Sequence, residues 1–248
     1  MAQRAHVRPA RATPCRLLLT GEFGLVMFGR AVALPHSLER VVAYLGLSPQ
    51  PVHRVKLAGA LWPDAPEALA ARSLRTALWR LHRGGRSIVD VRDDRVALRP
   101  VVQVDIVDLF DLTRQLLDSP TSETLKRLHL LIDNIELLPS WDDEWAVADR
   151  ERFRVMRLEA LERGAERLIE LAEHGRAMEP ALAATQSDPL RESAWRLVIR
   201  THLGQGNVAS AIRSYDEYRR LLLDEIGVEP SPAMEALIWP DASVTAGT

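Results

Sequence analysis

The chain has 248 residues, 47% hydrophobic and 27% charged, which describes a globular protein of one large domain or two smaller ones. Its single cysteine, Cys15, excludes an internal disulfide and points to a reducing, cytoplasmic setting; the apolar stretch LLLTGEFGLVMFG is broken by Glu22, so no run of about 18 apolar residues exists to span a bilayer. The formal charge of −2 hides an asymmetry: residues 1–100 carry 16 Lys+Arg and 7 Asp+Glu, a net of +9, while residues 101–248 carry 16 and 27, a net of −11. A polyanionic partner is expected for the first half and not for the second.

Residues 1–15 are Arg-rich and acid-free but have no apolar h-region, so they read as a disordered basic tail that includes Cys15, and not as a secretory signal. CRLLLTGEF and GLVMFGRAVALP are short apolar runs punctuated at Gly24 and Gly29, suited to a small antiparallel sheet. Helical spacing follows. SLERVVAYLGL repeats Leu38, Val41, Val42 and Leu45 before SPQP; VHRVKLAGALWP repeats Val52, Val55, Leu57, Leu61 and Trp62 before Pro63. A third helix is predicted from about Pro66 to the Gly84-Gly85 pair. SIVDVRDDRVALRP then alternates Ile88, Val89, Val91 and Val96, Leu98 about the turn Arg92-Asp93-Asp94-Arg95, a hairpin pattern. Strands, three helices and a hairpin in this order describe a winged helix-turn-helix over residues 16–100.

The third helix carries the chemistry. From Ala68 to Val89 there is no Asp or Glu, yet RSLRTALWRLHRGGR holds five arginines. On a helical wheel Ala71, Leu74, Ala77, Leu78 and Leu81 share the core side. Arg72, Thr76, Trp79 and Arg83 lie opposite, flanked by Arg75 and Arg80. Like-charged neighbours at i±3 and i±4 cost about 0.2–0.5 kcal/mol each in an isolated helix, a cost that a phosphate backbone removes. Arginine also presents the planar fork that engages guanine O6 and N7. This face is therefore the expected DNA-reading surface, with Arg92 and Arg95 at the wing tip beside it. Trp79 is open to more than one reading: stacking on sugar or a thymine methyl, packing on the wing, or contact with a neighbouring protein.

LAGALWPDAPEALAARSLRTALWRLHR, followed by a hairpin and VDIVDLFDL, resembles the DNA-binding domain of the SARP family of bacterial transcriptional activators (Streptomyces antibiotic regulatory proteins). ELLPSWDDEWAVADRERFRVMRLEALERGAERL and DPLRESAWRLVIRTHLGQGNVASAIRSYDEYRRLLLDEIGVEPSPAMEAL resemble the activation domain that follows it in that family, so the resemblance covers residues 16–239. Two departures are the first hairpin turn, which reads FGR, and the basic N-terminal tail. The resemblance implies binding to direct repeats in promoters of a secondary-metabolite or similar pathway, self-association on DNA and recruitment of RNA polymerase.

Read by pattern alone, residues 101–240 form an all-α domain, with 241–248 a disordered tail. Helices are predicted over 107–118, 122–138, 145–174, 179–186, 190–203, 208–226 and 234–238. Gly175 and Gly206 are placed at helix-helix turns; with Trp195, Ala211 and Tyr215 they fit a tetratricopeptide-like repeat, in which Ile199 replaces the usual small residue. Stacked helical hairpins leave a concave surface for a partner, so a protein-protein adaptor or sensor is the alternative function.

Catalytic chemistry is thinly represented. None of the thirteen glycines precedes a lysine, which removes a P-loop; the seven histidines are scattered and no second cysteine exists, so no metal, cofactor or enzymatic activity is expected. The carboxylates Asp216, Glu217, Asp224 and Glu225 read as solvated helix surface.

Overall fold

The computed structural model describes residues 15–83, 88–133 and 135–240. The expected tails 1–14 and 241–248, the Gly84-Gly85 helix stop and Arg86 lie outside these residues. Among the described residues no helix is long and apolar enough to cross a membrane. The chain forms two compact units: Met1–Asp108 with Glu136–Arg150, and Leu109–Ile135 with Glu151–Thr248. The chain passes between the two units three times, after Asp108, Ile135 and Arg150.

In chain order the first unit contains β1 (Cys15–Leu18), β2 (Gly24–Met27), β3 (Arg30–Ala31), α1 (His36–Leu47), β4 (Val52–His53), α2 (Arg54–Leu61), α3 (Glu67–Arg83), β5 (Val89–Arg92), β6 (Arg95–Leu98) and β7 (Val102–Val104). The N-terminal sheet has the order β3-β2-β1-β7, and the second sheet β4-β6-β5. β1 is antiparallel to β2 but parallel to β7, so the first sheet is mixed and four-stranded, not the small antiparallel sheet expected. Three-residue VQV was too short to read as a strand; it forms because Cys15, Arg16 and Leu17 offer it a free edge. Cys15 therefore belongs to a strand, 2% exposed, and burial pushes its thiol pKa up.

Two further expectations shift in this unit. Val52 pairs with Val96 in the wing sheet instead of opening a helix, and α2 begins at Arg54 with Val55 57% exposed. In α3 the buried line is Ala70, Leu74, Ala77, Leu78 and Leu81; Ala71 faces outward. Ala70 and Leu74 are four residues apart and stack on the core side, which turns Ala71 away. The β2-β3 turn consists of Phe28 and Gly29, both at positive φ (51° and 78°), with Met27 opposite Arg30. That is the backbone of a two-residue type I′ hairpin, adopted here with a phenylalanine at a position that favours Asn or Gly.

Residues 136–150 return to this unit. Leu137 bridges Thr20 and Gly21, Gly21 N donates to Glu136 O at 2.7 Å, and Leu138 N donates to Leu19 O at 3.1 Å. Arg150 donates from Nε to Leu137 O and from Nη2 to Trp141 O, each at 2.7 Å. The helix predicted over 122–138 is accordingly cut short. It consists of α5 (Ser122–Arg127), capped by Thr121, and a single 3-10 turn, Leu128–Leu131.

α4 (Asp105–Asp118) begins in the first unit and continues in the second, as does α6 (Glu144–Glu170). Thereafter come α7 (His174–Ser187), α8 (Glu192–Gly204), α9 (Val208–Ile226) and α10 (Pro232–Ile238). α7 packs on α8, α8 on α9, and α10 on both α8 and α9, a tetratricopeptide-like stack. α7 starts five residues earlier than predicted, so Gly175 lies inside its first turn and not between helices. Gly206 does occupy the α8–α9 turn, at φ 76°. Trp195, Ile199, Ala211, Tyr215, Tyr218, Leu222 and Met234 form one buried cluster, in which the Trp195 and Tyr218 rings stack at 5.7 Å. Ile199 fills the space beside them with no exposure.

One buried cation organises the other end of this unit. Arg157, 3% exposed, donates from Nε to Leu131 O at 2.7 Å, from Nη2 to Ile132 O and Asp133 O at 3.0 and 2.7 Å, and from Nη1 to Ser187 Oγ at 2.8 Å. Burial lowers its pKa, opposed by the nearby Asp133 carboxylate. The guanidinium fork thereby satisfies carbonyls that the interrupted helix leaves open.

Candidate nucleic-acid interface

α3 is positioned by its own buried line. Leu74, Leu78 and Leu81 pack in the first unit against α1, α2 and β5, which turns the remaining two thirds of the helix outward. Arg72, Arg75, Thr76, Trp79, Arg80 and Arg83 are all exposed, as the wheel requires. Glu67, in the first turn, is the helix's only acid. Among the described residues no carboxylate pairs with Arg72, Arg75, Arg80 or Arg83.

Two hollows flank the helix. Arg72, Thr76 and Arg80 border one, beside Ser37 and Leu38 of α1; Arg75 borders the other, beside α2. Arg72, Thr76, Trp79 and Arg83 run between them as an outward ridge. Thr76 Oγ1 donates to Arg72 O at 3.0 Å, which ties its hydroxyl to the helix. The Arg83 guanidinium lies 4.7 Å from the centre of the Trp79 ring, and that ring is 55% exposed. A cation-π contact of this kind orders both side chains on the surface without neutralising the charge.

The wing is electrostatically different. β5 and β6 pair with Arg92 opposite Arg95, joined by Asp93 (φ 52°) and Asp94. Arg92 Nε lies 2.9 Å from Asp90 Oδ2, and Arg95 Nη1 donates to Pro51 O at 3.2 Å. Asp94 pairs with His53 and accepts the Arg54 backbone N–H through its carbonyl at 2.7 Å. The two wing arginines thus have polar partners inside the protein, whereas among the described residues the arginines of α3 have no carboxylate partner and Arg83 contacts only the Trp79 ring. Sequence spacing could not show the Arg95 contact, because Pro51 approaches only once the β4-β6-β5 sheet has formed; Asp90 and Arg92, two residues apart, share one face of β5.

Three basic side chains near α3 were not singled out in the sequence: Arg54 and exposed Lys56 on α2, and exposed His82 in the last turn of α3. Their signal was weak, since none belongs to a charge run. Among the described residues no group of His, Cys, Asp and Glu is arranged to hold a metal.

The family model of the bacterial transcriptional activator domain matches residues 135–239. The regulatory protein AfsR of Streptomyces griseus is 28% identical over 190 residues, which is 73% of this chain and 20% of that protein. AfsR of Streptomyces coelicolor is 27% identical over 193 residues, covering 73% and 19%. The chain therefore spans about one fifth of the length of these relatives. Among solved structures, Mycobacterium tuberculosis EmbR, determined with a low affinity phosphopeptide, has a similar fold: TM-score 0.63 at 19% identity, over 91% of this chain and 64% of that one. These matches bear out the resemblance to SARP-family transcriptional activators, and the fold is a winged helix-turn-helix followed by tetratricopeptide-like helices.

Proposed function

We propose that this chain, a relative of the SARP-type activators, is a transcriptional regulator that binds double-stranded DNA through α3. One observation carries the reading: four arginines on the exposed face of α3 lack any carboxylate partner among the described residues, in a helix whose only acid is Glu67 in its first turn. In this reading α3 enters the major groove, Arg72, Arg75, Thr76, Trp79, Arg80 and Arg83 contact bases and phosphates, and Arg92 and Arg95 hold adjacent backbone. The acidic second half supplies surfaces for RNA polymerase and for self-association on promoter direct repeats, as the family resemblance implies.

The mechanism follows from counterion release. A helix that neutralises several phosphates binds more weakly as salt rises, and each lost phosphate contact flattens the salt slope by about one unit. The test is fluorescence anisotropy of the full chain on a labelled duplex across a salt series, with the Arg72→Ala, Arg75→Ala, Arg83→Ala triple variant beside it. The expected result is steep salt dependence that the triple variant loses. Unchanged binding by that variant would remove DNA from this face. On a double site, copies in head-to-tail order share one face of the duplex when repeats lie about 10–11 base pairs apart. Inserting about five base pairs should then abolish cooperativity, and a tight dimer selecting inverted repeats would contradict that arrangement.

A further inference from the structure

The hollow between α1 and α3 has a volume of about 420 Å³. Arg72 and Arg80 bring it two positive charges, and among the described residues no carboxylate lines it. The two arginines stand eight residues apart on α3, about 12 Å along the helix axis, so they border the hollow from well-separated positions. Trp62 and the exposed Leu69 supply an apolar wall.

The hydroxyls of the hollow differ in what they already do. Thr76 Oγ1 donates within the helix to Arg72 O at 3.0 Å, whereas the hydroxyls of Ser37 on α1 and Ser73 on α3 have no hydrogen-bond partner among the described residues. Two cations, two unengaged hydroxyl donors and an apolar wall match the backbone of DNA, in which charged phosphate oxygens alternate with an apolar sugar. The hollow on the other side of α3 lacks this character. Its wall is mainly apolar, and Glu67 shares its lining with Arg54 and Arg75. A polyanion is therefore favoured on the α1 side of the helix.

We infer that the α1–α3 hollow seats the sugar-phosphate backbone of one DNA strand: Arg72 and Arg80 hold phosphates and do not read bases, and α1 joins the interface through Ser37. The inference rests on the reading of α3 as the DNA-binding helix, and it deepens that reading by fixing which side of the helix carries the backbone. Base recognition then falls to Arg75, Trp79 and Arg83, which do not line this hollow.

The test uses the full chain and a duplex that it selects from a random pool, with binding read by fluorescence anisotropy. Single phosphates of that duplex are replaced, one at a time, by uncharged methylphosphonate. Wild type should lose affinity at one or two adjacent positions of one strand. Arg72→Ala and Arg80→Ala should each be insensitive at one of those positions, with a salt slope lower by about one unit and an unchanged preferred sequence. Ser37→Asp should weaken binding about tenfold or more at low salt, because a carboxylate then faces the phosphate. Its melting temperature should stay at or above wild type, since an acid suits the first turn of α1. Three results would overturn the seat while leaving DNA binding by α3 intact: an altered base preference in Arg72→Ala or Arg80→Ala, wild-type sensitivity of both variants to every methylphosphonate, or undiminished binding by Ser37→Asp. A wild-type chain that binds no duplex would instead remove the DNA-binding reading, and the seat with it.

Discussion

Arg40 of α1 donates from Nε to Oδ1 of Asp143 at 2.8 Å, a bond between residues 103 apart in the chain. Both side chains are mostly buried, 21% and 13% exposed, and Asp143 Oδ1 also accepts from Trp145 Nε1 at 3.2 Å. Around this pair, Trp141 packs against Phe23 and His36, and Trp145 against Tyr44. The winged-helix unit is therefore completed by residues that lie beyond α4 and α5. A double-mutant cycle of Arg40→Ala and Asp143→Ala, read by urea unfolding, should give a coupling of about 1–3 kcal/mol. A fragment of residues 1–100 lacks Asp143 and β7. It also lacks Asp105, whose carboxylate accepts from Leu19 N at 2.9 Å and Thr20 N at 3.1 Å. That fragment should show no cooperative melt by circular dichroism, whereas residues 1–150 should retain one. A cooperative melt of the shorter fragment near that of the full chain would contradict the role given to Glu136–Arg150.

What the sequence reveals here is what local periodicity encodes. α1, α3, the β5-β6 hairpin and α9 are legible because each has an amphipathic repeat or turn signal within its own length. β7 and the Leu137 bridge are not, because their strand character comes from a partner edge more than 80 residues away. Arg157 is equally silent: a lone arginine in the Arg- and Glu-rich stretch of α6 looks like any solvated cation until three carbonyls converge on it. The exposed arginines of α3 are legible, since the absence of nearby acids is itself a sequence property. The Pro51 partner of Arg95 is not, since it is made by tertiary pairing, whereas Asp90 stands two residues from Arg92 on the same face of one strand.

Phe28 provides a stability test independent of function. It is 79% exposed and held at φ 51°, so its ring contributes little packing while its Cβ strains a turn that favours Asn-Gly. Phe28→Asn should stabilise the chain by about 0.5–1 kcal/mol, read as a higher urea midpoint with an unchanged slope. A loss of stability would mean that the exposed ring has a packing role that its surface position does not reveal.

Stability should also respond to pH through His202. Burial lowers its pKa from the ordinary 6.5, assisted by the positive charge of Arg213, and its Nδ1 is buried without a hydrogen-bond partner among the described residues. With the folded value below the unfolded one, the unfolded chain binds more protons between the two. The contribution is therefore fully present above 6.5 and declines as pH falls towards the folded value. Urea unfolding of wild type and His202→Gln between about pH 7.5 and about pH 5 should show a shallower decline for the variant. Parallel curves would show that this imidazole is not the group responsible.

Arg157 should be costly to replace. Its guanidinium serves the carbonyls of Leu131, Ile132 and Asp133 and the hydroxyl of Ser187 from a position 3% exposed. Arg157→Met fills similar space but leaves those acceptors unpaired, at an expected loss of about 2–4 kcal/mol. Arg157→Lys should recover only part of it, because an ammonium cannot reproduce the planar fork. Equal stability of wild type and the methionine variant would show that water or a rearranged turn satisfies these carbonyls.

The contrast between α3 and the wing yields the most discriminating test of the DNA-binding reading. Among the described residues Arg72, Arg75 and Arg80 have no carboxylate to leave, so their charge is available to phosphate, whereas Arg92 must give up or share Asp90 at 2.9 Å. A single Arg72→Ala or Arg75→Ala change should weaken DNA binding while leaving the melting temperature unchanged or slightly raised, as like-charge neighbours on the helix are relieved. A base-reading arginine should cost about 1–3 kcal/mol and relax sequence preference; a phosphate contact should mainly lower the salt slope by about one unit. Arg92→Ala should cost less than either, because the charge it removes is already partly balanced. Removing that balance should have the opposite effect: Asp90→Asn frees Arg92 and should tighten binding at low salt, an advantage that fades as salt screens exposed charge. Anisotropy on one duplex with these four single variants gives the ranking. If Arg92→Ala is as damaging as Arg72→Ala, or Asp90→Asn weakens binding, the wing and not α3 dominates the contact.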